Sequence, residues 1–380
     1  MKKKVLVAMS GGVDSSVAAA LLKTQGYDVI GIHMQLWDQS DANIKKSGGS
    51  CCSIVDSNDA RKVAEHLDIP FYVMNARDQF QNDVIDYFMS EYLSARTPNP
   101  CVMCNNKLKF SYLLKKAEEL NCSHVATGHY AKVISNTEGT EFHLLKAADK
   151  DKDQSYFLFG LKQAQLAKTL MPLGDLLKSN VRRMAETFSL PVVADKPDSQ
   201  EICFIDEGGY QEFMEKRVTQ RYRPGGPIVT QDGSIVGRHN GLYRYTIGQK
   251  KGLNIAHSEF QGFYVVGFDT KTNALIIGPE EALMKSGLLA VQCNWIGLRD
   301  FTKGIRARAK IRSRHEEAEC MITLLNNNTV RVDFDQQQRA ITPGQAIVFY
   351  SESLVLGGGW IEALTQPITT KLRNREASEV

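Results

Sequence analysis
An α/β fold followed by two β-rich units is predicted for this 380-residue chain, on three observations. From Lys3 to about Glu201, short apolar runs alternate with helical segments, the pattern of a doubly wound parallel sheet with helices on both faces. Beyond residue 206 a single helix gives way to short strands with turn signals, a small, mostly-β central domain over 206–283. From 284 to 368 the pattern is all strand, which reads as a small closed β-barrel. The first domain is thus placed at 1–205, and the polar, charged residues 369–380 are expected to be a frayed tail.

Each element has its own signal. The strands of the first domain read Lys4–Met9, Asp28–Met34, Phe71–Asn75 and His124–Gly128, and the helices Ser15–Gln25, Ser57–Leu67, Gln79–Ala95 and Phe110–Leu120. Gly209–Val218 is the last helix, followed by the Gly/Pro-rich Arg221–Pro227. Strands are expected at Pro227–Val229, Ser234–Gly237, Gly262–Phe268 and Ala274–Gly278. In the barrel, Asn326–Thr329, Pro343-Gly344 and Gly357–Gly359 are expected to break the strands.

Composition excludes more than it identifies. Apolar residues make up 43% and charged ones 23%, as in an ordinary globular protein, and the net charge of +3 is mild. No apolar run approaches the ~20 residues that span a bilayer. The start Met1-Lys2-Lys3-Lys4 resembles a signal n-region, but Ser10, Gly11, Gly12 and Asp14 interrupt the apolar stretch. A cytoplasmic protein with no membrane association is expected. Its eight cysteines then point to reduced thiols with catalytic, metal or redox roles rather than a disulfide framework.

The stretch that carries most chemistry is Ser10-Gly11-Gly12-Val13-Asp14-Ser15-Ser16, between the run Val5–Met9 and a helix start. A strand that turns through glycines into a helix N-terminus makes an anion site, because unbonded N–H groups and the helix dipole converge there. The two glycines let the backbone approach a phosphate, and the serines add hydroxyl donors. It is not a Walker A loop, which needs a lysine absent here. In a doubly wound sheet the loops after Met9, Met34 and Ala126 would converge on one nucleotide.

Two further signals contain cysteine. Thr97-Pro98-Asn99-Pro100-Cys101-Val102-Met103-Cys104-Asn105 reads as a rigid, extended loop with CxxC spacing, open to three uses: a zinc half-site, a redox pair, or thiols acting on a substrate. Zinc lacks a second pair of the usual form, since only adjacent Cys51-Cys52 remains. Cys203 follows the polar stretch beginning at Lys196. Cys122, Cys293 and Cys320 sit in apolar or strand-like surroundings and read as inert, whereas Lys107 near Cys104 favours a thiolate.

The glycine loop resembles the PP-loop (SGGxDS) of the ATP pyrophosphatases, which have a Rossmann-like fold. SGGVDSS, TPNPCVMCN, ATGHY, KDQSYFL, EICFI, TPGQ and GGGWIE occur in the order seen in bacterial tRNA-specific 2-thiouridylases, a resemblance running from about Val5 to Leu364. It implies ATP-dependent replacement of the C2 oxygen of a tRNA wobble uridine by sulfur, with ATP and Mg²⁺ as cofactors. Ala8, Met9, Ser10, Gly11, Gly12, Val13, Asp14, Ser15, Met34 and Gly128 would then meet the nucleotide. Cys203 would receive a persulfide from a sulfur-relay protein or cysteine desulfurase. Cys104 would be the second thiol, closing a Cys104–Cys203 disulfide as sulfur is released. Asn99, Pro100, Cys101, His129, Lys152, Asp153, Gln154, Arg312, Ser313 and Gln345 match positions that contact tRNA, with His129 facing the RNA. Many members carry Asp where Cys101 stands, so three thiols replace two and a carboxylate. A [4Fe–4S] cluster on Cys101, Cys104 and Cys203 is therefore an alternative sulfur carrier. The PP-loop taken alone also fits an amide-forming ligase, or an RNA-binding protein that keeps a nucleotide fold as scaffold.

A separate RNA signal lies in Ile305–His315. Arg306, Arg308, Lys310, Arg312 and Arg314 alternate with apolar residues, so one strand face is expected to carry five cations for which phosphate is a natural counter-surface. Arg244, Lys250 and Lys251 are expected to extend that track.

Overall fold
Val5, Leu6 and Val7 are wholly excluded from solvent, and they form the middle of the strand on which the first domain is built. In the computed structural model, residues 2–36, 54–191, 196, 202–205, 208–218, 225–255, 258–298, 301, 304–326 and 328–362 are described. The tail 369–380, the Cys51-Cys52 pair, Arg221–Pro224 and most of the stretch after Lys196 lie outside these residues.

Strands β1 (Lys4–Ala8), β2 (Asp28–Gln35), β3 (Phe71–Asn75) and β4 (His124–Ala126) alternate with helices α1 (Val13–Thr24), α2 (Ile54–His66), α3 (Arg77–Phe80), α4 (Asp86–Leu93), α5 (Pro100–Cys104) and α6 (Leu113–Glu119). One π-helical segment, Gln81–Ile85, joins α3 to α4, and another, Asn105–Tyr112, joins α5 to α6. Beyond them come the hairpin β5 (Lys132–Ser135) and β6 (Phe142–Leu145), α7 (Gln163–Leu166), β7 (Thr169–Leu170), α8 (Lys178–Thr187) and α9 (Gly209–Glu215). The parallel sheet runs β3-β2-β1-β4-β7, so chain direction across the sheet reverses between β1 and β4, where such folds bind ligands.

The segment expected to be an extended loop is helical at its cysteines. Pro100 occupies the first helical position, where its missing N–H leaves no hydrogen bond unmade, and Asn99 Oδ1 caps the turn by accepting from Val102 N at 3.4 Å.

The central domain is a four-stranded sheet, β8 (Gly226–Thr230), β9 (Ile235–His239), β10 (Tyr264–Asp269) and β11 (Ala274–Gly278), in the order β10-β11-β8-β9. The barrel follows: β12 (Met284–Trp295), β13 (Ile305–Lys310), β14 (Ala318–Asn326), β15 (Thr329–Arg339), β16 (Ala346–Ser351) and β17 (Leu354–Glu362). These run β12-β15-β14-β13-β16-β17 and close by β17 pairing with β12. The hairpin β5–β6 of the first domain extends this sheet beside β17, and a shared core joins Val102, Phe110, Tyr156 and Phe159 to Ala346, Val348 and Tyr350.

Gly357–Gly359 does not break the chain; it lies inside β17. A Cβ at Gly358 would stand 2.5 Å from Ile347 O, and one at Gly359 would stand 2.7 Å from Cys293 Sγ. These glycines admit a close neighbour rather than make a turn.

Candidate active site
The β1 strand is pinned at its end by Met9 N donating to Ile32 O at 2.8 Å and by the buried His33, whose Nδ1–H donates to Met9 O at 2.9 Å. Gly11 then turns at φ +77°, and a Cβ there would lie 2.2 Å from Asp56 O. Only glycine permits both the left-handed backbone and the approach of α2. Ser15 Oγ accepts from Ser10 N at 3.1 Å and donates to Gly12 O at 3.2 Å, while Ser16 Oγ donates to Gly12 O at 2.9 Å. These bonds fold the loop around the N-terminus of α1.

Gly128, after β4, packs directly on that N-terminus. A Cβ at Gly128 would stand 2.7 Å from Ser15 N and 2.8 Å from Asp14 C, so any side chain would displace the loop itself. Tyr130, two residues on, donates its hydroxyl to Asp14 Oδ1 at 2.7 Å. Lys178, the first residue of α8, places Nζ 2.7 Å from each Asp14 oxygen. Lys196 Nζ reaches Gly11 O at 3.1 Å, Asp56 Oδ1 at 2.5 Å and Asp59 Oδ2 at 3.1 Å. Burial weakens the ammonium, but the two carboxylates outweigh it and hold the Lys196 pKa above its ordinary value. Two cations thus converge on the glycine loop from residues far along the chain. Tyr130 closes the ATGHY motif but was given no role there, and Lys178 carries no motif of its own.

Two of the cysteines share an apolar cluster away from the glycine loop. Cys101, exposed, and Cys104, half-buried, are three residues apart on α5. Phe204 inserts its ring against Phe80, Phe88 and Phe213, carrying the neighbouring Cys203 with it. Cys104, Cys203 and Met34 all pack on this one apolar cluster. Met34 comes from β2, next to the strand that feeds the glycine loop, so the two thiols and the loop are joined through the end of the parallel sheet. Cys122, Cys293 and Cys320 are buried, and burial pushes the latter two thiols up to about 12. Among the described residues no group of three or more His, Cys, Asp or Glu side chains is placed to hold a metal ion. Cys101, Cys104 and Cys203 are not gathered into such a group.

Several of the residues expected to contact RNA have partners within the chain. His129 does not face outward: it is 8% exposed, its Nδ1 bonds Thr127 Oγ1 at 2.8 Å, and burial with the charge of Lys109 holds its pKa well below the usual 6.5. Asp153 accepts from Ala147 N, Ser155 N and Ser155 Oγ and so braces its own loop, while Gln154 Oε1 accepts from Tyr130 N and ties that loop to the segment after β4; Lys152 beside them is half-buried. Gln345 donates to two backbone carbonyls of the 97–98 segment.

The basic row is shorter than expected and is not unrelieved. The strand ends at Lys310, and Arg312, Ser313 and Arg314 lie in the turn after it. Arg306 forms a bidentate pair with Asp335 at 2.7 and 2.5 Å, Arg308 pairs with Glu319 at 2.7 Å, and Arg312 donates to Arg339 O and Ala340 O. Arg244 pairs with Glu215. The alternation itself holds, with Ala307 and Ala309 buried and Arg306 and Arg308 exposed.

A strand-to-helix glycine loop at the reversal point of a parallel sheet, approached by Lys178 and Lys196, defines a nucleotide-binding α/β domain. Residues 3–207 match the model of the tRNA methyl transferase HUP domain, 211–279 that of the tRNA methyl transferase PRC-barrel domain, and 285–361 that of the aminomethyltransferase β-barrel domain. The chain belongs to the family of the tRNA-specific 2-thiouridylases MnmA. It is 50% identical over 363 residues to that of Geotalea uraniireducens, covering 95% of both chains. The MnmA of Geobacter metallireducens is 48% identical over 95% of this chain and 97% of its own, and that of Halothermothrix orenii 49% over 94% and 99%. Among the described residues no helix is long and apolar enough to cross a membrane.

Proposed function
We propose that this protein is an ATP-dependent tRNA-uridine 2-sulfurtransferase, with MgATP and tRNA as substrates. The observation that carries the reading is the packing of Cys104, Cys203 and Met34 on one cluster at the end of the sheet whose first loop is built for phosphate.

The chemistry follows from what must leave. A uracil C2 oxygen is a poor leaving group, so it attacks the α-phosphate of ATP and pyrophosphate departs. The glycine-loop N–H groups, the α1 dipole and the Lys178 and Lys196 charges stabilise the phosphates, and Mg²⁺ arrives with the nucleotide. A Cys203 persulfide, loaded by a sulfur-relay protein or a cysteine desulfurase, attacks C2 with its outer sulfur. AMP leaves with the former C2 oxygen, one proton is released, and the base is joined to Cys203 through two sulfurs. The Cys104 thiolate then attacks Cys203 Sγ. The S–S bond to the outer sulfur breaks, 2-thiouridine is released, and a Cys104–Cys203 disulfide remains for a thiol reductant to reduce by two electrons. Cys101 takes no part in this exchange.

Radiolabelled sulfur tests the division of roles. Cys203→Ser should take up no persulfide label, and Cys104→Ser should take it up without passing it to tRNA. Equal labelling of both variants, or of neither, overturns the assignment. Release of AMP with aspartate, citrulline or ammonia in place of tRNA would mark an amide-forming ligase instead.

A further inference from the structure
The helix that carries Cys101 and Cys104 is held on its N-terminal side by the C-terminal barrel. Thr97 N donates to Pro343 O at 2.9 Å. Gln345 Nε2 donates to Thr97 O at 3.1 Å and to Pro98 O at 3.0 Å, which employs both N–H groups of its amide. Arg96 bridges Glu91 on α4 to Glu362 at the end of β17, at 2.8 and 2.5 Å. Gly344, at φ +89°, lies so close that a Cβ there would stand 2.9 Å from Thr97 O and 3.0 Å from Thr97 N.

From Thr97 to Cys104 the path is short and stiff. Pro98 and Pro100 fix two φ angles, and the Asn99 cap starts α5, whose last residue is Cys104. Beyond Cys104 the chain enters a π-helical segment, and Asn105 Nδ2 donates to Phe157 O at 3.2 Å. The neighbouring Tyr156 hydroxyl returns to the barrel, donating to Ala346 O at 2.8 Å. Both ends of the thiol-bearing helix are therefore referred to the Thr342–Ala346 segment, a separate folding unit from the sheet that positions the glycine loop.

We propose that Gln345 is a positioning residue: by holding the Thr97 and Pro98 carbonyls it sets the place of the Cys104 thiol, so the barrel turn Thr342–Gln345 belongs to the machinery that aims sulfur exchange. The effect on turnover rests on Cys104 being the second thiol; the effect on Cys104 itself does not. Two neutral hydrogen bonds to one loop favour its docked position by about tenfold or more. Displacing a reacting group by a fraction of its working distance lowers a rate by a similar or larger factor.

Two variants test this on the full chain. Gln345→Glu keeps shape but cannot donate, and it sets a carboxylate against two carbonyl oxygens. Gly344→Ala drives the turn from Thr97 without removing any side chain able to touch RNA. Three quantities are read: iodoacetamide labelling of Cys104 relative to Cys203 without ATP or tRNA, tRNA affinity by filter binding, and single-turnover thiolation. Both variants should label Cys104 about fivefold faster in the absence of tRNA and thiolate about tenfold more slowly at tRNA concentrations that the filter-binding measurement shows to be saturating for each variant. Unchanged Cys104 labelling in Gln345→Glu would overturn the proposal, whether or not tRNA binding weakens. Should Gly344→Ala fail to fold, Gln345→Glu alone decides. Absence of thiolation in the parent would count against the sulfurtransferase reading and leave the labelling result to decide the positioning role.

Discussion
Lys178→Met is the substitution with the most calculable consequence. Its ammonium lies 2.7 Å from both Asp14 oxygens, and the side chains are 11% and 32% exposed, so the pair is neither buried nor freely solvated. Exposed pairs contribute about 0–1 kcal/mol, while breaking a fully buried one costs about 3–5 kcal/mol. A value of about 1–3 kcal/mol lies between. Without Lys178, Asp14 keeps the Tyr130 hydroxyl among the described residues but loses its neutralising cation, at the helix N-terminus where phosphates would bind. ATP affinity should fall by about 5- to 150-fold, since each 1.4 kcal/mol is about tenfold. Asp14→Asn in the same chain removes the repelling charge and should recover at least half of that loss in free energy, a coupling visible in a double-mutant cycle. Calorimetric titration with ATP in the absence of tRNA measures both. Undiminished ATP binding in Lys178→Met, or a double variant no better than the single one, would refute the reasoning.

Other expectations follow from the same geometry. Gly128→Ala should displace the Ser15 and Asp14 backbone and abolish ATP-dependent pyrophosphate release while leaving the barrel folded, as checked by near-UV circular dichroism. His129 is neutral in the folded chain, and its pKa is lowered by burial, so the unfolded chain binds the proton more readily. The stability this contributes is complete above the unfolded value of 6.5 and is lost as pH falls below it, at about 1.4 kcal/mol per pH unit for one group. Urea unfolding between pH 7 and 5 should therefore be less steeply acid-sensitive in His129→Gln. Iodoacetamide at pH 8 should label Cys101 first and leave Cys293 and Cys320 untouched, as peptide mass spectrometry would show.

The parts of this account that were legible in the sequence are those written locally. The run Val5–Met9, the glycines and the serines predict the strand, the turn and the helix start, because adjacent residues make those bonds. Alternation over Ile305–Ala309 predicts which side chains of β13 face inward. What escaped is what distant residues supply. Lys178 reaches Asp14 across 164 positions, Lys196 reaches Asp56 across 140, and Gln345 reaches Thr97 across 248. The acidic partners of the basic row were missed for the same reason, since Glu319 comes from the adjacent strand β14 and Asp335 from β15, one strand further on. Gly357–Gly359 was misread because glycine signals a turn and a close packing contact alike, and only Ile347, Phe159 and Cys293 tell the two apart. Cys101 and Cys104 are on a helix because proline at the first helical position starts one as readily as proline elsewhere forbids it.

The central claim is that ATP activates the uridine oxygen and that sulfur then replaces it. Unmodified tRNA carrying a heavy-oxygen label at C2 of the wobble uridine, incubated with the protein, MgATP, a persulfide donor and a thiol reductant, tests that claim directly by mass spectrometry of the products. The account predicts one 2-thiouridine for each AMP released, with the label recovered in the AMP phosphate. Thiolation with the label in water and none in AMP, or AMP formed without 2-thiouridine, would contradict it.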